Sequence, residues 1–369
     1  MPILKKDQFL FSEEELRAIK NRFTEELIKA SKGIRTSFPF IKNELPKVKS
    51  KQAIFQVISV GGSYIKSAIV TKTNGKIVLS DYQKKPLPLL VDKATFLKVV
   101  SENVADMPLV ALNFAYALSP LIRDGKLDGR LVYPSKDHLM TGLMGQLVGE
   151  ELEKYFQTTQ NRKIAFVVAN DTVCLLLAGL EIAPYPELVA GVVGTGMNFA
   201  FFLNERLVVN LESSHFDKFT RTETAKNLDS DTRYDYLQPL EKEVAGAYLH
   251  RHYNQLIKKH FPLEKPVLTT GELNEVAKSP SKTSYLAKIL IERSASLVAM
   301  QAAAISEFKT GQNPGLKSLT FVVEGSLFWE GDHYIDIVNN YFSEFGVSKD
   351  FIKFVNIPHS NLLGAAHLV

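Results

Sequence analysis

The feature that most constrains the fold is a pattern of apolar strands and glycine turns that occurs twice along the chain. In the first copy, the apolar run 53–58 stops at Gly61-Gly62, and a second run, 65–70, precedes the hairpin signal Asn74-Gly75 and the strand 76–80. The second copy repeats this order, with the runs 188–193, 199–203 and 207–211 and the turn Gly194-Thr195-Gly196. Two copies of strand, glycine turn and strand predict a duplicated α/β architecture.

Composition is that of an ordinary globular protein and excludes several classes of function. The chain has 369 residues, more than one core usually accommodates, and a net charge of only +4, so we expect two lobes and no nucleic-acid partner. The single cysteine, Cys174, has apolar neighbours, which predicts a buried thiol without a disulfide. No apolar run reaches the ~20 residues of a membrane span, and residues 1–6 lack a signal-peptide core. We therefore expect a cytoplasmic protein with no membrane partner.

Helical periodicity appears at both ends of the chain. Ser12-Glu13-Glu14-Glu15 is a capping box, and apolar residues continue at helical spacing from Leu16 until Gly33. Residues 36–51 contain prolines and several lysines, which predicts a linker. Residues 285–308 form a long alanine-rich pattern, so we expect the C-terminal third to be largely helical.

A carboxylate follows another apolar strand, 164–168, in the phrase Asn170-Asp171-Thr172-Val173. An aspartate in this place most often caps a helix. Here, however, the segment that begins at Gly191 and contains the second glycine turn follows about 20 residues later, and backbone N–H groups in such a turn bind phosphate. A carboxylate that accepts a proton together with a phosphate-binding turn predicts phosphoryl transfer to a hydroxyl.

These residues resemble the hexokinase family, and the similarity covers most of the chain in the correct order. Asn170-Asp171-Thr172-Val173 is identical to the family's catalytic motif. The other similar segments are 57–63 and 194–198 for the two phosphate loops, 112–116 with 133–136 for the sugar-binding segment, 209–212 and 240–249 for the sugar-binding glutamates, and 324–326 for the adenosine-binding segment.

The resemblance implies the actin-like ATPase fold (ribonuclease H-like), a duplicated α/β fold with two lobes around a central cleft. Residues 52–193 would form the small lobe, with the first phosphate loop, the sugar-binding segment and the catalytic aspartate. Residues 1–51 and 194–369 would form the large lobe. The implied reaction is transfer of the γ-phosphoryl group of ATP, with Mg²⁺, to the 6-hydroxyl of a hexose, with glucose favoured.

The resemblance also implies a role for each site residue, and no protein side chain is assigned as a metal ligand. The expected catalytic residues are Asp171, as general base, and Lys136. The residues expected to bind the hexose are Ser135, Lys136, Asn170, Asp171, Asn198, Glu212 and Glu241. Those expected to bind ATP are Gly61, Gly62, Ser63, Lys66, Gly194, Thr195, Gly196, Gly325 and Ser326.

One departure from the family pattern leaves alternatives open. Ser59 stands where the family carries an aspartate that helps to organise the metal, and a serine hydroxyl brings no charge. A sugar-binding or regulatory protein with weak or no catalysis is therefore a second interpretation. A third is another kinase or ATPase on the same fold, which the matches at Asn170-Asp171-Thr172-Val173 and Glu241 disfavour.

Overall fold

A computed structural model describes residues 6–46, 52–133, 138–231 and 238–369. Its strands are β1 (Ile41–Glu44), β2 (Gln52–Val60), β3 (Tyr64–Thr73), β4 (Lys76–Pro86), β5 (Leu109–Phe114), β6 (Ala117–Arg123), β7 (Lys126–Tyr133), β8 (Ala165–Asn170), β9 (Leu188–Val193), β10 (Met197–Asn204), β11 (Leu207–Asn210), β12 (Leu319–Glu324) and β13 (Ile352–Val355). Its α-helices are α1 (Glu13–Ser31), α2 (Lys93–Ser101), α3 (Val148–Gln160), α4 (Asp171–Ala178), α5 (Glu223–Asn227), α6 (Pro239–Val244), α7 (Gly246–His260), α8 (Thr270–Lys278), α9 (Ser284–Gln312), α10 (Ser326–Glu330), α11 (Tyr334–Glu344) and α12 (Ser360–Ala366).

The strands form three sheets, two of which are mixed. One has the order β4-β3-β2-β5-β8, another has the order β1-β11-β10-β9-β12-β13, and β6 pairs with β7 alone. In the first sheet, β2, β3 and β4 are antiparallel, whereas β5 lies parallel to both β2 and β8. Because β2, β5 and β8 run in the same direction, their carboxyl ends lie at one edge, where ligands bind in open α/β sheets.

The chain divides into two compact units, each assembled from separate segments. The first contains residues 1–40, 191–199 and 211–355, and the second contains residues 41–190, 200–210 and 356–369. The boundaries of the two lobes given above remain a prediction.

The second unit is built on the β4-β3-β2-β5-β8 sheet. Its core contains apolar side chains of β2, β5 and β8 together with those of α2 and α3, among them Ile58, Phe96, Leu112, Phe156 and Phe166. β5 and β8 are mostly apolar along their length, as is typical of strands covered on both faces.

Helix α12 packs closely on α4 within the second unit. A Cβ atom at Gly364 would lie only 1.7 Å from the carbonyl oxygen of Cys174, so only glycine permits this approach. Cys174 is buried, as predicted, and burial raises the pKa of its thiol. This packing fixes the helix whose first residue is Asp171.

The first unit is organised around α9, a helix of 29 residues. By length and composition alone, this helix is apolar enough to cross a membrane. Its most apolar window is 94% buried within the protein, where it packs against α1 and α11. The apolar composition of α9 is therefore that of a central core helix.

Several local expectations are confirmed and one is wrong. Helix α1 begins after Ser12 with both hydrogen bonds of the capping box, and the strands of both predicted copies are present. The expected linker 36–51 instead contains β1, which pairs antiparallel with β11, while Phe38, Phe40 and Leu45 are buried. The prolines and lysines predict a linker, but the segment forms a strand because it pairs with a strand that is distant in the sequence. Residues 47–51 lie outside the described residues.

Candidate active site

Asp171 lies at the carboxyl end of β8 and begins α4. Its Oδ1 atom accepts hydrogen bonds from the backbone N–H of Thr172 at 2.8 Å and from the Thr172 hydroxyl at 3.3 Å. Among the described residues, nothing donates to Oδ2, and the side chain is partly exposed. One carboxylate oxygen is therefore held by the helix, and the other is open to accept a proton.

Asn170, which precedes Asp171, is 4% exposed and has a structural part. Its Oδ1 atom caps α4 by accepting from the N–H of Thr172 at 3.0 Å. Its Nδ2 atom donates to the carbonyl oxygen of Tyr116 at 3.2 Å. Asn170 thus orients Asp171, and contact of its amide with a hexose remains a prediction.

The first glycine turn lies between β2 and β3 in the same unit. Gly61 donates its N–H to the carbonyl oxygen of Tyr64 at 3.0 Å, which closes the turn. Within the described part of the chain, the N–H groups of Gly62 and Ser63 make no hydrogen bond, and Ser63 is exposed. Successive unpaired N–H groups of this kind form a binding site for an anion.

Ser59 and Lys66 face each other across β2 and β3. Directly opposed residues of an antiparallel pair lie on the same face of the sheet. Ser59 is buried and Lys66 is partly exposed. The position where a carboxylate was expected by resemblance therefore carries a hydroxyl, with an ammonium on the facing strand.

The second glycine turn, in the first unit, is held by the start of α7. The carbonyl oxygens of Gly194 and Thr195 accept from the N–H groups of Gly246 at 2.7 Å and Ala247 at 3.1 Å. The N–H groups of Thr195 and Gly196 make no hydrogen bond to any described residue. This turn is a second candidate for anion binding.

Gly325 packs directly against the second turn. Its φ of +131° is one that glycine readily adopts, and a Cβ atom there would lie 2.2 Å from the carbonyl oxygen of Val193. A Cβ at Gly194 would lie 3.0 Å from the Cα of Gly325. The structure thus brings the predicted adenosine segment, including exposed Ser326, beside the predicted second phosphate loop.

Two carboxylates and an amide lie close together at the start of β10, the strand that follows the second turn. Glu241 accepts from the N–H of Met197 at 3.1 Å, and its Oε1 atom would lie 2.9 Å from a Cβ at Gly196. Asn198 donates from Nδ2 to Glu212 Oε1 at 3.4 Å. Glu212 is 7% exposed and has a φ of +51°, a left-handed conformation that is uncommon for a glutamate.

Ser135 and Lys136 lie outside the described residues, so their expected contacts with a hexose remain predictions. Sequence reasoning missed two residues that contact the first turn. Tyr116 donates its hydroxyl to the carbonyl oxygen of Gly61 at 3.1 Å, and His138 Nε2 lies 3.0 Å from that of Gly62. Tyr116 stands inside the motif that resembles the sugar-binding segment, but nothing local in the sequence indicates either contact.

The unpaired backbone N–H groups of the two turns suit the phosphates of a nucleotide, whereas the described side chains do not suit a metal bound by protein alone. Among the described residues, no group of at least three histidine, cysteine, aspartate or glutamate side chains is arranged to hold a metal ion. Mg²⁺ in enzymes is often held by substrate phosphates, water and one or two carboxylates. The described residues therefore fit a metal that arrives with a nucleotide better than one held by protein side chains alone.

Comparison with solved structures decides the fold. A hexokinase from Schistosoma mansoni complexed with glucose superposes with a TM-score of 0.81 and 20% identity, covering 98% of this chain and 96% of that one. The chain therefore has the hexokinase fold. This is the actin-like ATPase fold, so the predicted α/β fold class is confirmed.

Other solved structures agree with this fold. A second hexokinase gives a TM-score of 0.76 at 17% identity, over 98% of this chain and 97% of that one. A ROK family glucokinase from Streptomyces griseus, in complex with glucose and AMPPNP, gives 0.56 at 14% identity, over 86% and 99%. No family model matches the sequence, and no curated protein matches it.

Proposed function

We propose that the chain is an ATP-dependent hexose kinase that phosphorylates the 6-hydroxyl of its substrate, with glucose the favoured hexose. The observation that carries this proposal is the placement of Asp171 within a hexokinase fold. It begins α4 at the carboxyl edge of the β4-β3-β2-β5-β8 sheet, with one carboxylate oxygen engaged by Thr172 and the other open. A carboxylate in this state is suited to act as a general base.

In the proposed reaction, the 6-oxygen of the hexose attacks the γ-phosphorus of ATP while its proton passes to Asp171. The new bond is between the 6-oxygen and phosphorus, and the bond that breaks joins phosphorus to the bridging oxygen, which leaves with ADP. Bound Mg²⁺ would neutralise charge on the transferred group. The proton then leaves Asp171 for solvent, which restores the base.

The phosphates of ATP are proposed to bind to unpaired N–H groups of the glycine turns. In the second unit these belong to Gly62 and Ser63, and Lys66 adds a positive charge on β3. In the first unit they belong to Thr195 and Gly196, with Gly194 and Gly325 allowing the close backbone packing and Ser326 beginning α10. Backbone donors of this kind bind anions without any side-chain charge.

The hexose is proposed to bind to side chains that combine donors and acceptors. Glu241, Glu212 and Asn198 supply them in the first unit, where hydrogen bonds already orient Glu241 and Asn198. Asn170 and Asp171 supply them in the second unit, and Lys136 and Ser135 are proposed from the sequence alone. Action in the cytoplasm, within glycolysis, is part of the same proposal.

A second candidate function is favoured by Ser59. This residue is buried at the end of β2 and brings no charge to the position where the family's metal-organising aspartate is expected. A protein that binds a hexose as a sensor, with very slow phosphoryl transfer, would tolerate that replacement.

A coupled assay for ADP formation separates the candidates. The full chain would be supplied with ATP, Mg²⁺ and one member of a panel containing glucose, mannose, fructose and glucosamine, beside a control without sugar. Hexose-dependent ADP formation would support the kinase and rank its substrates. ADP formation at the same rate with and without sugar would indicate an ATPase. Glucose binding detected by calorimetry, without ADP formation, would indicate the sensor.

A further inference from the structure

The carbonyl groups of the first glycine turn are all engaged by other parts of the second unit. The carbonyl oxygen of Gly61 accepts from the Tyr116 hydroxyl at 3.1 Å, and that of Gly62 is bound by His138 Nε2 at 3.0 Å. The carbonyl oxygen of Ser63 accepts from the N–H of Leu87 at 2.9 Å. Three successive carbonyl groups are therefore fixed.

Fixing these carbonyl groups also fixes the N–H groups between them. A trans peptide is planar, and its C=O and the following N–H point in opposite directions. With the carbonyl of Gly61 on Tyr116, the N–H of Gly62 must point away from Tyr116. By the same geometry, His138 turns the N–H of Ser63 away from itself. These are the N–H groups that remain unpaired among the described residues.

Tyr116 is well placed to remain a donor. Its side chain is 2% exposed, and burial together with the nearby charge of Asp171 raises the pKa of its hydroxyl. The hydroxyl therefore keeps its proton at neutral pH. Tyr116 also accepts from Asn170 Nδ2 through its carbonyl oxygen, so one residue contacts both the base segment and the glycine turn.

The hydrogen bonds of His138 define its tautomer. Its Nδ1 atom lies 2.9 Å from the backbone N–H of Leu90, which can only donate, so Nδ1 is the acceptor. In the neutral imidazole, the proton then resides on Nε2, which donates to the carbonyl oxygen of Gly62. The ring is buried and meets the Tyr116 ring edge-on, with centroids 5.8 Å apart.

We propose that Tyr116 and His138 are positioning residues, which hold the first glycine turn in the orientation that binds the phosphate chain of a nucleoside triphosphate. This inference rests on the proposed function, because it assumes that the ligand of the turn is ATP. Without the two donors, either peptide is free to rotate. A rotated peptide presents a carbonyl lone pair where an N–H stood, and so repels the phosphate.

The test is calorimetric binding of AMPPNP with Mg²⁺ to the full chain and to variants that lack one donor. Tyr116→Phe and His138→Phe should each weaken AMPPNP binding about fivefold to tenfold, the effect of losing one neutral hydrogen bond. His138→Gln retains a side-chain N–H donor and should recover part of the loss. Tyr155→Phe, a change of the same kind on α3, should bind AMPPNP as the unaltered chain does. Glucose binding in the absence of nucleotide should be unchanged in every variant.

Each result bears on the inference in a distinct way. If the unaltered chain binds AMPPNP and both phenylalanine variants bind it equally well, the positioning role is overturned while the kinase proposal stands. If the variants lose glucose and AMPPNP affinity together with thermal stability, the residues are merely structural and the inference is again overturned. No AMPPNP binding by the unaltered chain would overturn the proposed function, and this inference with it. Should His138→Phe fail to fold, Tyr116→Phe decides, because it removes one oxygen atom and keeps the ring.

Discussion

The two glycine turns each leave two successive N–H groups without a described hydrogen-bond partner, but their carbonyl groups are held by different means. In the first turn, side chains hold the carbonyl groups, through the Tyr116 hydroxyl and His138 Nε2. In the second, the main chain holds them, through the N–H groups of Gly246 and Ala247 at the start of α7. The first turn should therefore be sensitive to side-chain substitution, whereas the second should be disturbed mainly where a new Cβ atom enters the backbone packing.

Gly325→Ala should have the largest effect on stability, because the new side chain would overlap the backbone of the second turn. The new Cβ would lie 2.2 Å from the carbonyl oxygen of Val193. The φ of +131° at this position is also unfavourable for alanine. Steric overlap together with the unfavourable φ should lower the free energy of unfolding by about 3 kcal/mol or more. Chemical denaturation monitored by circular dichroism would measure this, and AMPPNP binding should be lost as well.

Gly346→Ala is the matched control for that substitution. Gly346 also has a positive φ, +71°, but a Cβ there meets no atom within 4 Å. Its loss of stability should be confined to the conformational cost of about 1–2 kcal/mol. Equal destabilisation by the two variants would show that packing against the second turn is unimportant.

Glu241→Gln should have an intermediate effect and tests the proposed sugar contact beside the second turn. Glutamine preserves an Oε1 acceptor for the N–H of Met197, so the loop after the turn should keep its shape. Loss of the charge should weaken hydrogen bonds to sugar hydroxyls and raise the KM for glucose about tenfold, with less change in the KM for ATP. Glu275→Gln, on an exposed face of α8, serves as the control. A KM for glucose that does not move would remove Glu241 from the sugar site.

Ser59→Asp should have the smallest effect. It tests whether the missing charge near the first turn limits the use of Mg²⁺. If the missing charge limits metal use, the aspartate variant should need less Mg²⁺ for half-maximal turnover, by a few-fold. Ser59→Asn has nearly the same shape without the charge and should leave the requirement as it is. Because Ser59 is buried, thermal stability must be recorded in parallel. An unchanged Mg²⁺ requirement in a folded Ser59→Asp variant would mean that another group performs this role.

Features encoded locally could be predicted from the sequence. The strands beside Gly61-Gly62 and Gly194-Thr195-Gly196 follow from apolar runs that stop at glycines, and α1 follows from its capping box. The position of Asp171 at the end of a strand and the start of a helix can be predicted because both patterns lie within a few residues.

Features that depend on distant pairing could not be predicted. The Tyr116 hydroxyl reaches Gly61 across 55 positions, and His138 reaches Gly62 across 76. The composition of residues 36–51 predicts a linker in place of β1, because β1 is stabilised by pairing with β11, whose residues lie far along the chain. In each case the local composition says nothing about the partner.

Comparison of Asp171→Asn with the unaltered chain is the decisive test of whether Asp171 is the base of a hexose kinase. Asparagine keeps the size of the side chain and an acceptor for the N–H of Thr172, but cannot accept the proton. The measurement is the rate of glucose-dependent ADP formation, with glucose and AMPPNP affinities determined on the same samples. We expect the rate to fall by at least ~100-fold while both affinities stay within a few-fold. A variant that binds both ligands and turns over at the original rate would contradict the assignment.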